Sequence, residues 1–295
     1  MENLYTYKDS NIRKSILYLF FFAVLVIAVG WIFSRAYNNP LILYIAVAFS
    51  IFGNFLSYWY SDKIALALSG AHPASHEENT DLYHLVENLS ITAGLPMPKV
   101  YIIDSPQINA FATGRNPEHS ALAVTTGALQ RLTKTELEGV IAHEMSHIGN
   151  RDILIASIAV VLAGFIAIIS DFFIRSRWGF FGKSSDRNGK GNIFGIIAIV
   201  AAILAPIAAT LIRLAVSRQR EYLADTTGAL LTRYPEGLAS ALQKISEDDY
   251  QMTQARTNTA HLFIANPFKG KSLANLFSTH PPIEERIKRL RDLRV

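Results

Sequence analysis

The side chains best placed to do chemistry are those of His143-Glu144-Met145-Ser146-His147. Two histidines four positions apart on a helix stand on one face, about one turn apart, so both imidazoles reach a single ion. Neutral nitrogen donors suit zinc, which in a catalytic site takes a third protein ligand and keeps one position for water. Glu144 is not needed as a ligand; from its place on the helix it can take a proton from the water that the ion activates. The same chain holds a contrast: His76-Glu77 is followed at the fourth position by Thr80, so that pair has no second histidine.

A third donor is required, and Glu221 in Ser217-Arg-Gln-Arg-Glu-Tyr-Leu-Ala-Asp225 is the candidate. Asp225 lies four residues on, so both carboxylates share a helix face. One can bind the ion while the other accepts a hydrogen bond from a ligand histidine's second nitrogen, which fixes its tautomer. Arg218 and Arg220 either position Glu221 or meet lipid phosphates. His280, held before two prolines, is a candidate to donate to the oxyanion or to visit the metal as a fourth ligand at rest, or else it is structural. Asn109, Ala110, Phe111 and Ala112 are candidates for substrate binding: they offer either a sheet edge along which an extended peptide pairs, or an ordinary internal strand. His72, His76, His84, His119 and His261 have no partner at ligand spacing.

Local signals say what must hold these groups. Thr133 and Glu136 form a capping box, and Leu137, Val140 and Ile141 give an apolar stripe, predicting a helix from about 134 to Gly149-Asn150. Thr80 to Ala93 reads as a helix stopped by Gly94 and Pro96. Lys99 to Ile103, Asn109 to Thr113 and Ala121 to Thr125 read as short strands, the last two separated by the turn Gly114-Arg-Asn-Pro117. The helix carrying Glu221 continues through Leu230, and Pro235 opens another with Leu238, Leu242 and Ile245 inside. Glu247 to Asn258 is polar and reads as a loop. Pro281 to Val295 reads as a basic amphipathic helix.

Half of the 295 residues are hydrophobic and only 18% are charged, and the mean hydropathy is +0.22, too apolar for an ordinary soluble enzyme. Ser15 to Ser34, Pro40 to Ser61, Ile153 to Ser170 and Gly191 to Ile212 each run without a charge. Each is about long enough to cross a hydrocarbon core of roughly 30 Å as a helix. Four transmembrane helices in two hairpins are expected, which keeps the chain on one side wherever the ligands must converge. The first run lacks a small-residue cleavage site and is followed at once by a second, so it is not a removable signal. A net charge of +4 suits basic residues lying beside anionic lipid headgroups, and no basic stripe suggests nucleic acid. Lys8, Arg13, Lys14, Lys63, Arg151, Arg213, Arg218 and Arg220 favour a cytoplasmic catalytic part, against the basic loop from Phe172 to Lys190. With no cysteine, neither disulfides nor thiolate ligands are available.

Together, His143-Glu-Met-Ser-His147, Glu221-Tyr-Leu-Ala-Asp225, Asn109-Ala-Phe-Ala112 and Ser278-Thr-His-Pro-Pro282 resemble the HtpX group of the M48 zinc metalloproteases, over nearly the whole chain. The resemblance implies a mainly α, α+β architecture: a zincin-like (gluzincin) catalytic domain with a small β-sheet, joined to the four transmembrane helices. The divisions are then 1–61 (amino-terminal segment and first hairpin), 62–151 (first catalytic part), 152–216 (second hairpin) and 217–295 (second catalytic part). It further implies one Zn2+ per chain on His143, His147 and Glu221, with Glu144 as general base, and degradation of misfolded or damaged membrane proteins in envelope quality control. The expected setting is a bacterial inner membrane, with the lipid bilayer and damaged membrane proteins as partners. Two other readings stay open: a narrow-specificity relative that clips prenylated carboxyl termini, and a membrane scaffold with a structural metal.

Overall fold

The capping box forms as the sequence requires. In the computed structural model the Thr133 side chain accepts from the Glu136 backbone N–H while the Glu136 carboxylate accepts from the Thr133 N–H, opening the helix Lys134–Gly149. The structure describes residues 4–36, 38–180, 217–252, 259–265, 267 and 281–293, with only the helix backbone described at 4–8 and 169–180. The elements are α1 (Leu4–Ala36), α2 (Leu41–Trp59), α3 (Ser61–Leu68), β1 (Ala71–Pro73), α4 (Thr80–Ala93), β2 (Lys99–Ile103), β3 (Ala110–Asn116), β4 (His119–Thr125), α5 (Thr126–Arg131), α6 (Lys134–Gly149), α7 (Asp152–Phe180), α8 (Arg218–Thr232), α9 (Pro235–Glu247) and α10 (Ile283–Asp292).

The sheet runs β1-β2-β4-β3, with β2 parallel to β4 and the outer pairs antiparallel. β3 begins one residue and ends three residues later than expected, β4 begins two residues earlier, and the hairpin turns at Pro117-Glu118, with Gly114 at φ 147 beside a register shift. α6 lies between the sheet and the pair α8 and α9. Leu137, Val140, Ile141, Met145 and Ile148 join Leu82, Val86, Leu122, Val124, Leu238 and Leu242 in one core. Glycine lets the helices approach: a Cβ on Gly228 of α8 would lie 2.9 Å from the His143 nitrogen, and one on Gly139 of α6 would lie 2.6 Å from that of Leu238.

Glu136 ties α6 to α9 as well as capping it. Its carboxylate accepts from Lys244 Nζ at 2.7 Å and Ser240 Oγ at 2.6 Å. Burial alone would raise its pKa, but these bonds and those from Thr133 outweigh it and hold the carboxyl at about 2. A carboxylate depressed in the folded state stabilises above its ordinary value and loses that contribution as pH falls through the depressed one. Glu136→Gln is therefore expected to cost about 1–2 kcal/mol at pH 7, the exposure of Lys244 limiting the sum. Urea unfolding should show the gap to wild type narrowing as pH falls from 4.5 toward 2.

Among the described residues, two helices are long and apolar enough to cross a membrane: Asp9–Ala36 and Leu41–Trp59. Phe20, Tyr44, Ile45 and Phe52 point outward, whereas Phe22, Val26 and Phe33 pack on Leu154, Ile155, Ile158 and Leu162 of α7. α7 carries the third apolar run. It leaves α6 at 83° through Arg151, at φ 60, and α6 with α7 makes a third crossing only as one bent element. The fourth run, 191–212, lies outside the described residues. Arg220 Nη1 stands 3.7 Å from Asp152 Oδ1, so the first turns of α7 and α8 meet.

Candidate metal centre

His143 and His147 project from one face of α6 with their Nε2 atoms 3.2 Å apart. Glu221, from the first turn of α8, brings Oε2 to 3.8 Å from His143 Nε2 and Oε1 to 3.7 Å from His147 Nε2. Four coordinate donors about 2.0–2.1 Å from a zinc ion stand roughly 3.3 Å from one another, so these spacings match one small tetrahedral cation.

The second ring nitrogens decide which nitrogen is offered. His143 Nδ1 faces Asp225 Oδ1 at 3.0 Å, and His147 Nδ1 faces Asp152 Oδ2 at 2.9 Å. A carboxylate holding Nδ1–H leaves the Nε2 lone pair directed at the ion. Asp225, which shares a helix face with Glu221, thus stands against the second nitrogen of His143. Asp152 was legible only as the polar boundary of an apolar run.

Arg286 of α10 was not foreseen at all. It is fully buried, and its guanidinium donates to Asp225 through Nε at 2.9 Å and Nη2 at 2.7 Å, with Nη1 3.5 Å from Glu221 Oε2. This forked cation neutralises two carboxylates taken out of water. Its only signal in the sequence was a charge within an apolar repeat, on a helix whose other charges face solvent.

Charge is distributed unevenly over the site. Burial pushes Glu144 up to about 7, Glu221 adding to the rise while His147 and the Ala112 N–H oppose it. Burial brings His143 down to about 4, helped by Arg286 and His147 against the bond to Asp225. For His147 burial would lower the pKa, but the bond to Asp152 and the charges of Glu221, Asp152 and Glu144 raise it to about 9. The carboxylates that raise His147 would equally favour a dication held beside it.

Glu144 lies on the same helix as the two histidines, and its Oε2 accepts from the Ala112 N–H at 2.8 Å. That bond ties it to β3, the edge strand opposite β4, so the candidate peptide edge runs past the ion site. The edge is partly covered by the chain itself. Ile264 N donates to Ala110 O at 3.0 Å, and the Asn109 carboxamide donates to Ala265 O at 3.0 Å and accepts from its N–H at 3.3 Å. Phe111 faces the other way, edge-on to Phe263. His261, Leu262 and Ile264 line the cleft with Ala112, Ile153 and Ala156. Of the histidines set aside for lack of ligand spacing, His261 does reach the cleft wall. His280 lies outside the described residues.

A buried two-histidine, one-glutamate cluster with a further carboxylate beside it, packed near helices long and apolar enough to cross a membrane, fits a membrane-associated metalloprotease. The peptidase family M48 model matches residues 76–294, and the chain belongs to that family. It is 48% identical over 299 residues to a "Protease HtpX homolog" of Caldanaerobacter subterraneus subsp. tengcongensis, covering 100% of this chain and 99% of the relative. A protein of the same name from Pyrococcus furiosus is 53% identical over 251 residues, 84% of this chain and 86% of the relative. The crystal structure of S. mikatae Ste24p aligns with a TM-score of 0.51 at 19% identity, covering 90% of this chain and 62% of that one, a likeness of fold.

Proposed function

We propose that the chain is a zinc endopeptidase that hydrolyses misfolded or damaged membrane proteins at the cytoplasmic face of a cell membrane, anchored by four crossings in two hairpins around a gluzincin catalytic domain. The convergence of His143, His147 and Glu221 beside Glu144 carries the reading. A zinc ion held by His143, His147 and Glu221 would supply Lewis acidity for polarising a carbonyl and acidifying a water. His143 and His147 present Nε2 because Asp225 and Asp152 hold their Nδ1 atoms. Glu144, with a carboxyl near neutrality, takes the proton of the attacking water and returns it to the leaving amine. β3 orients the substrate as an added strand, once the stretch at Ile264 and Ala265 gives up its place on Ala110 and Asn109. Proximity of the site to α1 and α7 supports substrates delivered from the bilayer.

Removing metal with a chelator should abolish cleavage of an unfolded membrane protein, and about one equivalent of zinc per chain should restore it. Activity that survives complete metal removal would sink the reading. A prenylated peptide assayed in parallel separates the proposed specificity from carboxyl-terminal processing: preferential cleavage of that peptide would favour the narrower enzyme.

A further inference from the structure

Asp152 is held on its far side by a residue of the first membrane helix. Asn11 is 1% exposed, and its Nδ2 donates to Asp152 Oδ1 at 2.7 Å and to the carbonyl of Asn150 at 3.0 Å. The two partners differ in kind. Asn150 caps the carboxyl end of α6, the helix that bears both histidines, and Asp152 sets the ring of His147. One carboxamide therefore grips the end of the metal helix and the carboxylate that orients its second ligand. A carboxamide is suited to this because it carries two N–H donors, whereas aspartate at 11 would face Asp152 with like charge. The backbone of α1 is fixed at this point as well: Ser15 Oγ donates to Asn11 O at 2.8 Å. From here α1 continues into the apolar stretch that reaches Ala36.

We propose that Asn11 is a positioning residue of the metal site, acting through Asp152 on His147, so that the first membrane helix belongs to the apparatus that holds the ion. The proposal rests on the reading of His147 as a ligand. The contact spans 141 positions of sequence and joins segments that no local pattern connects. Asp152 loses a buried donor when Asn11 is shortened, and it then turns toward Arg220, 3.7 Å away, drawing the His147 ring from its place.

The test uses the full-length protein in detergent, with zinc affinity read by chelator competition and site geometry read by the visible spectrum of the cobalt-substituted form. Asn11→Ala and the isosteric Asn11→Asp should each weaken zinc about 10–100-fold and alter the cobalt spectrum. In an Asp152→Ala background, Asn11→Ala should have no further effect on affinity, because the two act in series. Ser15→Ala, which disturbs the same turn of α1 without touching Asp152, should leave affinity and spectrum as in wild type. The proposal is overturned if both Asn11 variants bind zinc like wild type, if the Asn11 and Asp152 effects add, or if Ser15→Ala weakens binding as much. Equal zinc binding by wild type and His147→Ala would remove the ligand assignment itself, and the proposal with it.

Discussion

Glu144→Gln is expected to lower turnover on an unfolded membrane protein by about 10²- to 10⁴-fold while zinc content stays at the wild-type level. Glutamine keeps the volume and an oxygen to accept from the Ala112 N–H, so β3 and α6 stay in place. What it loses is the capacity to take up and return a proton, which burial has tuned in the wild type to about 7. Single-turnover cleavage, with metal analysis on the same sample, separates the two properties. A normal rate would remove Glu144 as the base, and would favour a structural metal in a scaffold.

Arg286→Met should destabilise the fold by about 3–5 kcal/mol, because breaking a buried ion pair strands the remaining charge. Asp225 is held at about 2 chiefly by the Arg286 charge, which overcomes the upward push of burial. Above its ordinary value of 3.8 that carboxylate contributes its full stabilisation, lost as pH falls toward 2, so the variant's unfolding should also be less acid-sensitive over that range. Denaturant unfolding in detergent measures both effects. Zinc-saturated protein should lose less, since the ion binds the native state and supplies positive charge beside Glu221. A variant as stable as wild type would mean that Asp225 and Glu221 find other partners, and the account of the buried fork would fail.

The parts of the site legible in the sequence are those whose cause is local. The start of α6 follows from Thr133 and Glu136 three residues apart, the histidine pair from one helical turn, and the pairing of Glu221 with Asp225 from another. Pro235 and Gly94 marked a helix start and a helix end for equally short-range reasons. Arg286, Asp152 and Asn11 escaped because their meaning arises only when distant segments meet. A charge on a basic amphipathic helix ordinarily faces water; Arg286 does not, because α8 turns two carboxylates toward it. β1 and α3 were missed too: three residues, Ala71–Pro73, and eight, Ser61–Leu68, are short for any periodicity to register. The tie between Ile264 and Ala110 likewise depends on a return of the chain that composition does not announce.

Gly228 has a further consequence for what the centre accepts. With no side chain between them, α8 rests on the main chain of α6 at His143, so the gap between the glutamate and the imidazoles is gauged by rigid rods in touch with each other. Such a socket has little give. Calcium, which gathers six to eight oxygens at about 2.3–2.6 Å, would find it too narrow and too rich in nitrogen, and magnesium would keep its own waters instead. Selectivity among ions is thus written partly in a missing methyl group.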